Sequence, residues 1–228
     1  MRQTALNFFS TDDLTLEGII AEPSGEEIPE SGGDLPGVVF CSPEPHLGGT
    51  MLSPVVEALT REVTPRGFVS FRFNYRGVGD SQGENALGQG QVSDALAAVD
   101  MLREWPGVDG RRIGLVGYSY GSSIALRAAA QQPEGVRAVV AVSPILDIPL
   151  IGIPTEGGLE KVRVPVRFLI GGNDALTTPE KLGEWVDGIG RDDVTAMALE
   201  GADRAWQTSR PALAAATAGF LDSTMTLR

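Results

Sequence analysis

The chain has 228 residues, 42% of them hydrophobic and 21% charged, the composition of a globular protein with a sizeable core, and one domain spanning 1–228 is the expectation. With 18 Lys and Arg against 30 Asp and Glu the formal net charge is −12, the wrong sign for holding a phosphate backbone, so nucleic acid is not an expected partner. Cys41 is the only cysteine and cannot form an internal disulfide, and neither a leader-like apolar stretch nor a membrane-length apolar run is present, so the expected setting is the cytoplasm and no membrane.

The pattern predicts an opening hairpin, Thr4–Phe9 and Leu14–Ala21, around the polar turn Ser10–Asp13. The stretch Glu22–Asp34, acidic and rich in Pro, Gly and Ser, reads as a solvated loop that carries much of the negative charge. Short β-rich runs then alternate with helix-spaced stretches. Strands are expected at Gly37–Cys41, Phe68–Tyr75, Ile113–Tyr118, Ala138–Val142, Val166–Ile170 and Thr195–Leu199. Helices are expected at Met51–Glu62, Gln91–Glu104, Ser122–Gln131, Pro179–Ile189 and Pro211–Leu221, the last two opening on a proline whose missing donor costs nothing in a first turn. This alternation is the α/β class: a mostly parallel eight-stranded sheet, hairpin included, flanked by helices. The stretch Asp147–Lys161 is too short for a separate lid domain, so a site beside it should be open.

The strongest chemical signal is Ile113–Gly121, IGLVGYSYG, followed by the small-residue stretch SSIALRAAA. A strand, then G-x-S-x-G, then a helix is the context a nucleophilic serine needs: the turn is so sharp that only glycine fits on either side, and it leaves Ser119 exposed above the sheet at the positive end of a helix. Three further stretches accompany it: SPEPHLGGTM after the third strand, FRFNYRGVGDSQGE around the fourth, and IGGNDALTTPE after the seventh. With these motifs in this order, almost the whole chain resembles the α/β-hydrolase superfamily, in particular its small lidless members related to the dienelactone-hydrolase group.

The resemblance implies a serine nucleophile, an acid and a histidine in that chain order. Ser119 takes the first position. Asp174 matches the acid, although a turn aspartate capping the next helix would look the same locally. Arg204, in Gly201-Ala202-Asp203-Arg204-Ala205-Trp206, occupies the histidine position, and a guanidinium has no lone pair to take a serine proton. No histidine follows His46. Ser42 and Glu44 also stand where similar hydrolases carry histidines. The same loop supplies one oxyanion N–H in the family and the residue after the nucleophile the other; Tyr120 is therefore expected on one side. On the other, Pro43 and Pro45 have no N–H, which leaves His46 or Leu47. His46 is either a relocated base or a solvated loop residue. Glu44 borders the expected site, but a carboxylate is a weak base for a serine. Tyr118 and Trp206 either line a pocket or pack in the core, and the Arg76–Ser81 turn is read as structural.

Two functions follow as expectations. The first is a serine hydrolase acting on a small carboxylic ester or related acyl substrate, with an atypical triad. The alternative is an impaired or repurposed relative that binds a small ligand, anionic or neutral, or a partner. No metal is expected, because one His and one Cys leave only scattered carboxylates, and no cofactor motif is present. The partner is a small molecule, and the chain is a monomer or homodimer.

Overall fold

In a computed structural model, which describes residues 1–24 and 34–225, eight strands form one sheet: β1 (Arg2–Phe9), β2 (Thr15–Glu22), β3 (Leu35–Cys41), β4 (Val69–Phe73), β5 (Val108–Tyr118), β6 (Val136–Val142), β7 (Val166–Gly171) and β8 (Val194–Leu199). Their spatial order is β1-β2-β4-β3-β5-β6-β7-β8. The hairpin β1–β2 pairs antiparallel, β2 joins β4 antiparallel, and every pairing from β4 to β8 is parallel. The expected mostly parallel sheet is therefore present. Most of the acidic stretch Glu22–Asp34 lies outside the described residues.

Five helices cover the sheet: α1 (Pro54–Val63), α2 (Gln89–Arg103), α3 (Tyr120–Ala129), α4 (Pro179–Ile189) and α5 (Arg210–Met225). On one face Val38, Phe40 and Val116 pack with Val56 and Leu59 of α1 and with Leu213 and Leu221 of α5. On the other, Val39, Leu115 and Phe168 pack with residues of α2, α3 and α4. Both faces being covered explains why the central strands read as continuous apolar runs. The expected boundaries shift where polar residues carry regular structure. β5 starts at Val108 rather than Ile113 because Asp109, Arg111 and Arg112 extend the strand as a charged run whose side chains pair with each other. α3 starts at Tyr120, directly after the expected nucleophile, rather than at Ser122. The connection between β6 and β7 contains no helix.

Cys41 ends β3 with no exposed surface, and burial pushes its thiol up to about 12. Native protein at pH 8 is therefore expected to resist iodoacetamide and to take up a single equivalent only after unfolding, which intact mass reads directly. Ready alkylation of the folded chain would contradict this burial. Among the described residues no helix is long and apolar enough to cross a membrane.

Candidate active site

The turn between β5 and α3 is fixed by its glycines. A Cβ on Gly117 would lie 2.1 Å from the Gly121 carbonyl oxygen, and one on Gly121 would lie 2.2 Å from the Cys41 carbonyl oxygen. Neither contact is tolerable, so the sequence must carry glycine at both positions. Between them Ser119 adopts φ 56° and ψ −115°, a conformation unusual for a residue with a side chain. Its amide is anchored by donating to the Val142 carbonyl at 2.8 Å. The Tyr120 amide follows in the first turn of α3, where a helix offers no internal acceptor.

Arg204 reaches Ser119 from the connection between β8 and α5. Its Nη1 donates to Asp174 Oδ2 at 2.8 Å, and its Nη2 donates both to Ser119 Oγ at 3.1 Å and to the Ser143 carbonyl at 2.8 Å. The guanidinium thus bridges an acid that follows β7 and a serine that follows β5. Asp174 has no exposed side-chain surface, and Arg204 keeps 23%. Asp174 also accepts, through Oδ1, the amides of Leu176 at 3.0 Å and Thr177 at 3.2 Å, so it organises its own turn as well as facing Arg204, but it does not cap the next helix as the turn-aspartate reading would have it. The N-cap of α4 is a different residue, Thr178.

A second layer holds Arg204 in place. Its carbonyl accepts the Tyr118 hydroxyl at 3.1 Å and the Ser143 hydroxyl at 3.4 Å, and Ser143 Oγ in turn accepts Trp206 Nε1 at 2.9 Å. Burial raises the Tyr118 hydroxyl above its ordinary pKa, which keeps it a donor. Ser143 has no counterpart in the sequence reading; its only signal was a small polar residue just past the carboxyl end of β6, at φ 45°. Trp206 is wholly buried among core residues, whereas Tyr118 lines a cleft.

The loop after β3 makes a short 3-10 turn, Pro45–Leu47, capped by Glu44. Glu44 Oε1 accepts the His46 amide at 2.7 Å and lies 2.9 Å from His46 Nδ1. The Leu47 amide donates to the Glu44 carbonyl at 3.2 Å. Both amides that sequence reasoning offered for an oxyanion are therefore engaged within the loop. The Glu44 amide, by contrast, makes no hydrogen bond among the described residues. The imidazole is 53% exposed. Tyr120 directs its phenol into the core, against Gln91 and the Gly88 amide, so only its backbone faces the turn.

Ser119, Tyr118, Glu44 and Leu47 line an open cleft of about 310 Å³. A larger cleft, about 630 Å³ between residues 155–163 and α4, contains none of these residues, and chemistry rather than size places the candidate site at Ser119. Among the described residues no group of His, Cys, Asp and Glu side chains could hold a metal ion.

Residues 27–212 match the family model described as X-Pro dipeptidyl-peptidase (S15 family). A serine hydrolase homologue from Coxiella burnetii superposes with a TM-score of 0.78 at 26% identity, covering 97% of this chain and 98% of that one. A serine hydrolase without lid from Xanthomonas campestris gives 0.77 at 21% identity, covering 98% and 93%. A dienelactone hydrolase from Anabaena variabilis gives 0.78 at 18% identity, covering 99% of each chain.

Proposed function

The chain belongs to the X-Pro dipeptidyl-peptidase (S15) family of serine α/β-hydrolases, and on that footing we propose that its Ser119 site binds a small acyl ligand but lacks the general base that rapid hydrolysis needs. One observation carries this reading: Arg204 fills the place between Asp174 and Ser119, donating to both at 2.8 and 3.1 Å. A base there must accept the serine proton as the hydroxyl attacks. A guanidinium only donates, so it holds Ser119 Oγ as an acceptor and gives its proton nowhere to go. The oxyanion side is served by the Tyr120 amide and by the Glu44 amide, in place of the engaged His46 and Leu47 amides.

Slow turnover of an activated ester would not decide the matter, because a site without one triad member still exceeds water by ~10³ to 10⁴-fold through binding and its oxyanion hole. Intact mass after a fluorophosphonate probe is decisive. The natural chain is expected to remain unlabelled over minutes, like Ser119→Ala. Rapid labelling that depends on Ser119 would overturn the reading.

A second reading has one observation in its favour. The Glu44–His46 contact at 2.9 Å resembles an acid orienting a base, and Glu44 lines the cleft with Ser119. If rapid labelling occurs and His46→Ala abolishes it, this pair is the base; if labelling survives His46→Ala, it is not.

A further inference from the structure

The polar groups around Ser119 share one property: they donate. Ser119 Oγ accepts from Arg204 and its own hydroxyl proton has no acceptor among the described residues. Arg204 Nε and the second Nη1 proton are likewise without a partner there, on a side chain that keeps part of its surface. The Glu44 amide is unengaged, and the Tyr120 amide stands in the first turn of α3. The two acids nearby are already occupied, Asp174 by Arg204 and Glu44 by His46. An imidazole at position 204 would have offered a lone pair; the guanidinium converts the site into one that asks for an acceptor.

An independent observation bears on the rest of the ligand. Of the six large hydrophobic residues that are exposed among the described residues, Leu47, Leu52, Leu150 and Leu176 all lie in loops at the carboxyl ends of β3, β6 and β7. In the sheet β3 lies on one side of β5 and β6 and β7 on the other, so the loops that carry these leucines rise on both sides of the Ser119 turn, and Leu47 lines the Ser119 cleft itself. No helix from the β6–β7 connection covers them. The net charge of −12 repels multiply charged anions from the molecule as a whole and leaves a singly charged group, held by local donors, as the form that fits.

We propose that this site binds an apolar monocarboxylic acid, with its carboxylate on Ser119 and Arg204 and its hydrocarbon part along the leucine rim. This deepens, and rests on, the reading that the site lacks a base. Titration calorimetry of the full chain with octanoate, acetate and octanamide, at fixed pH and ionic strength, tests it. Octanoate is expected to bind saturably, octanamide about tenfold or more weakly because it brings no charge to the guanidinium, and acetate more weakly than octanoate because it reaches no leucine. The double variant Arg204→Gln/Asp174→Asn, which removes both charges together and strands neither, is expected to lose octanoate affinity about tenfold or more and octanamide affinity by a smaller factor, since the amide loses a donor but no charge partner. Should that variant not fold, the acid-against-amide comparison on the natural chain decides alone, with Ser119→Ala as the milder change. Equal affinity for acid and amide, an unchanged octanoate affinity in the folded double variant, or no saturable octanoate binding overturns the ligand class. Rapid fluorophosphonate labelling overturns the missing base instead, so the two failures are told apart.

Discussion

Arg204→His is expected to give the protein an esterase activity that depends on Ser119. The acid and the nucleophile already face position 204, since Asp174 Oδ2 and Ser119 Oγ are both bonded by the present guanidinium, and the backbone there is held by Tyr118 and Ser143. An imidazole in that place gives Nδ1–H to Asp174 and leaves Nε2 to take the serine proton. General-base catalysis contributes ~10² to 10⁴-fold, so a p-nitrophenyl ester should be turned over at least ~100-fold faster than by the natural chain, and adding Ser119→Ala should erase the gain. The pH dependence has a definite sign. Only the neutral imidazole is a base, so the variant's rate should climb with rising pH through about 6.5 or somewhat above, because the neighbouring carboxylate favours the protonated ring. The natural chain has no such step to show. A folded variant that labels no faster than the natural chain would mean that loss of the histidine is not what holds the activity back.

Asp94→Ala is expected to be a strongly destabilising single change. Asp94, on α2, has no exposed side-chain surface; it accepts the Arg76 amide at 2.9 Å and the Arg76 guanidinium at 2.7 Å. Burial pushes its carboxyl above the usual range, and Arg76 pulls it back only in part. Removing the acid strands a guanidinium that is itself largely buried, which in comparable pairs costs ~3 to 5 kcal/mol. Arg76 keeps a second, half-exposed partner in Asp12, so the low end of about 3 kcal/mol is expected, or a fall in Tm of roughly 10 °C for a chain of this length. Because the ionised form is disfavoured in the fold, the native pair stabilises least at neutral pH, and Asp94→Ala should cost relatively more as the pH falls toward the ordinary carboxylate range, where the natural chain regains stability by protonation. Replacing both residues by leucine should cost much less than the sum of the single changes, and additivity in thermal melts would show that the two are not coupled.

The elements and the site differ in how openly the sequence displays them. Helix α4 has its expected limits because Pro179 and Gly190 punctuate it on both sides. The parallel strands are legible because both faces of each are buried, and the β5–α3 turn because its glycines are sterically compulsory. The absence of a histidine at position 204 was equally plain. What replaced it functionally was not. That Arg204 would bond Ser119, rather than turn to solvent, depends on Ser143, whose carbonyl accepts its Nη2 and whose hydroxyl donates to its carbonyl, and Ser143 lies far from Arg204 in the chain with no shared motif. The oxyanion assignment was out of reach for a similar reason. His46 and Leu47 each carry an amide, as does Glu44, and which of them is free is set by a single turn of 3-10 helix that closes on the Glu44 side chain.

The two amides that Asp174 accepts through Oδ1 give it a duty apart from the guanidinium. A carboxylate that also ties its own loop together, at Leu176 and Thr177, serves the fold whether or not it serves chemistry. The presence of this aspartate therefore vouches for the loop and is by itself no sign of a working triad.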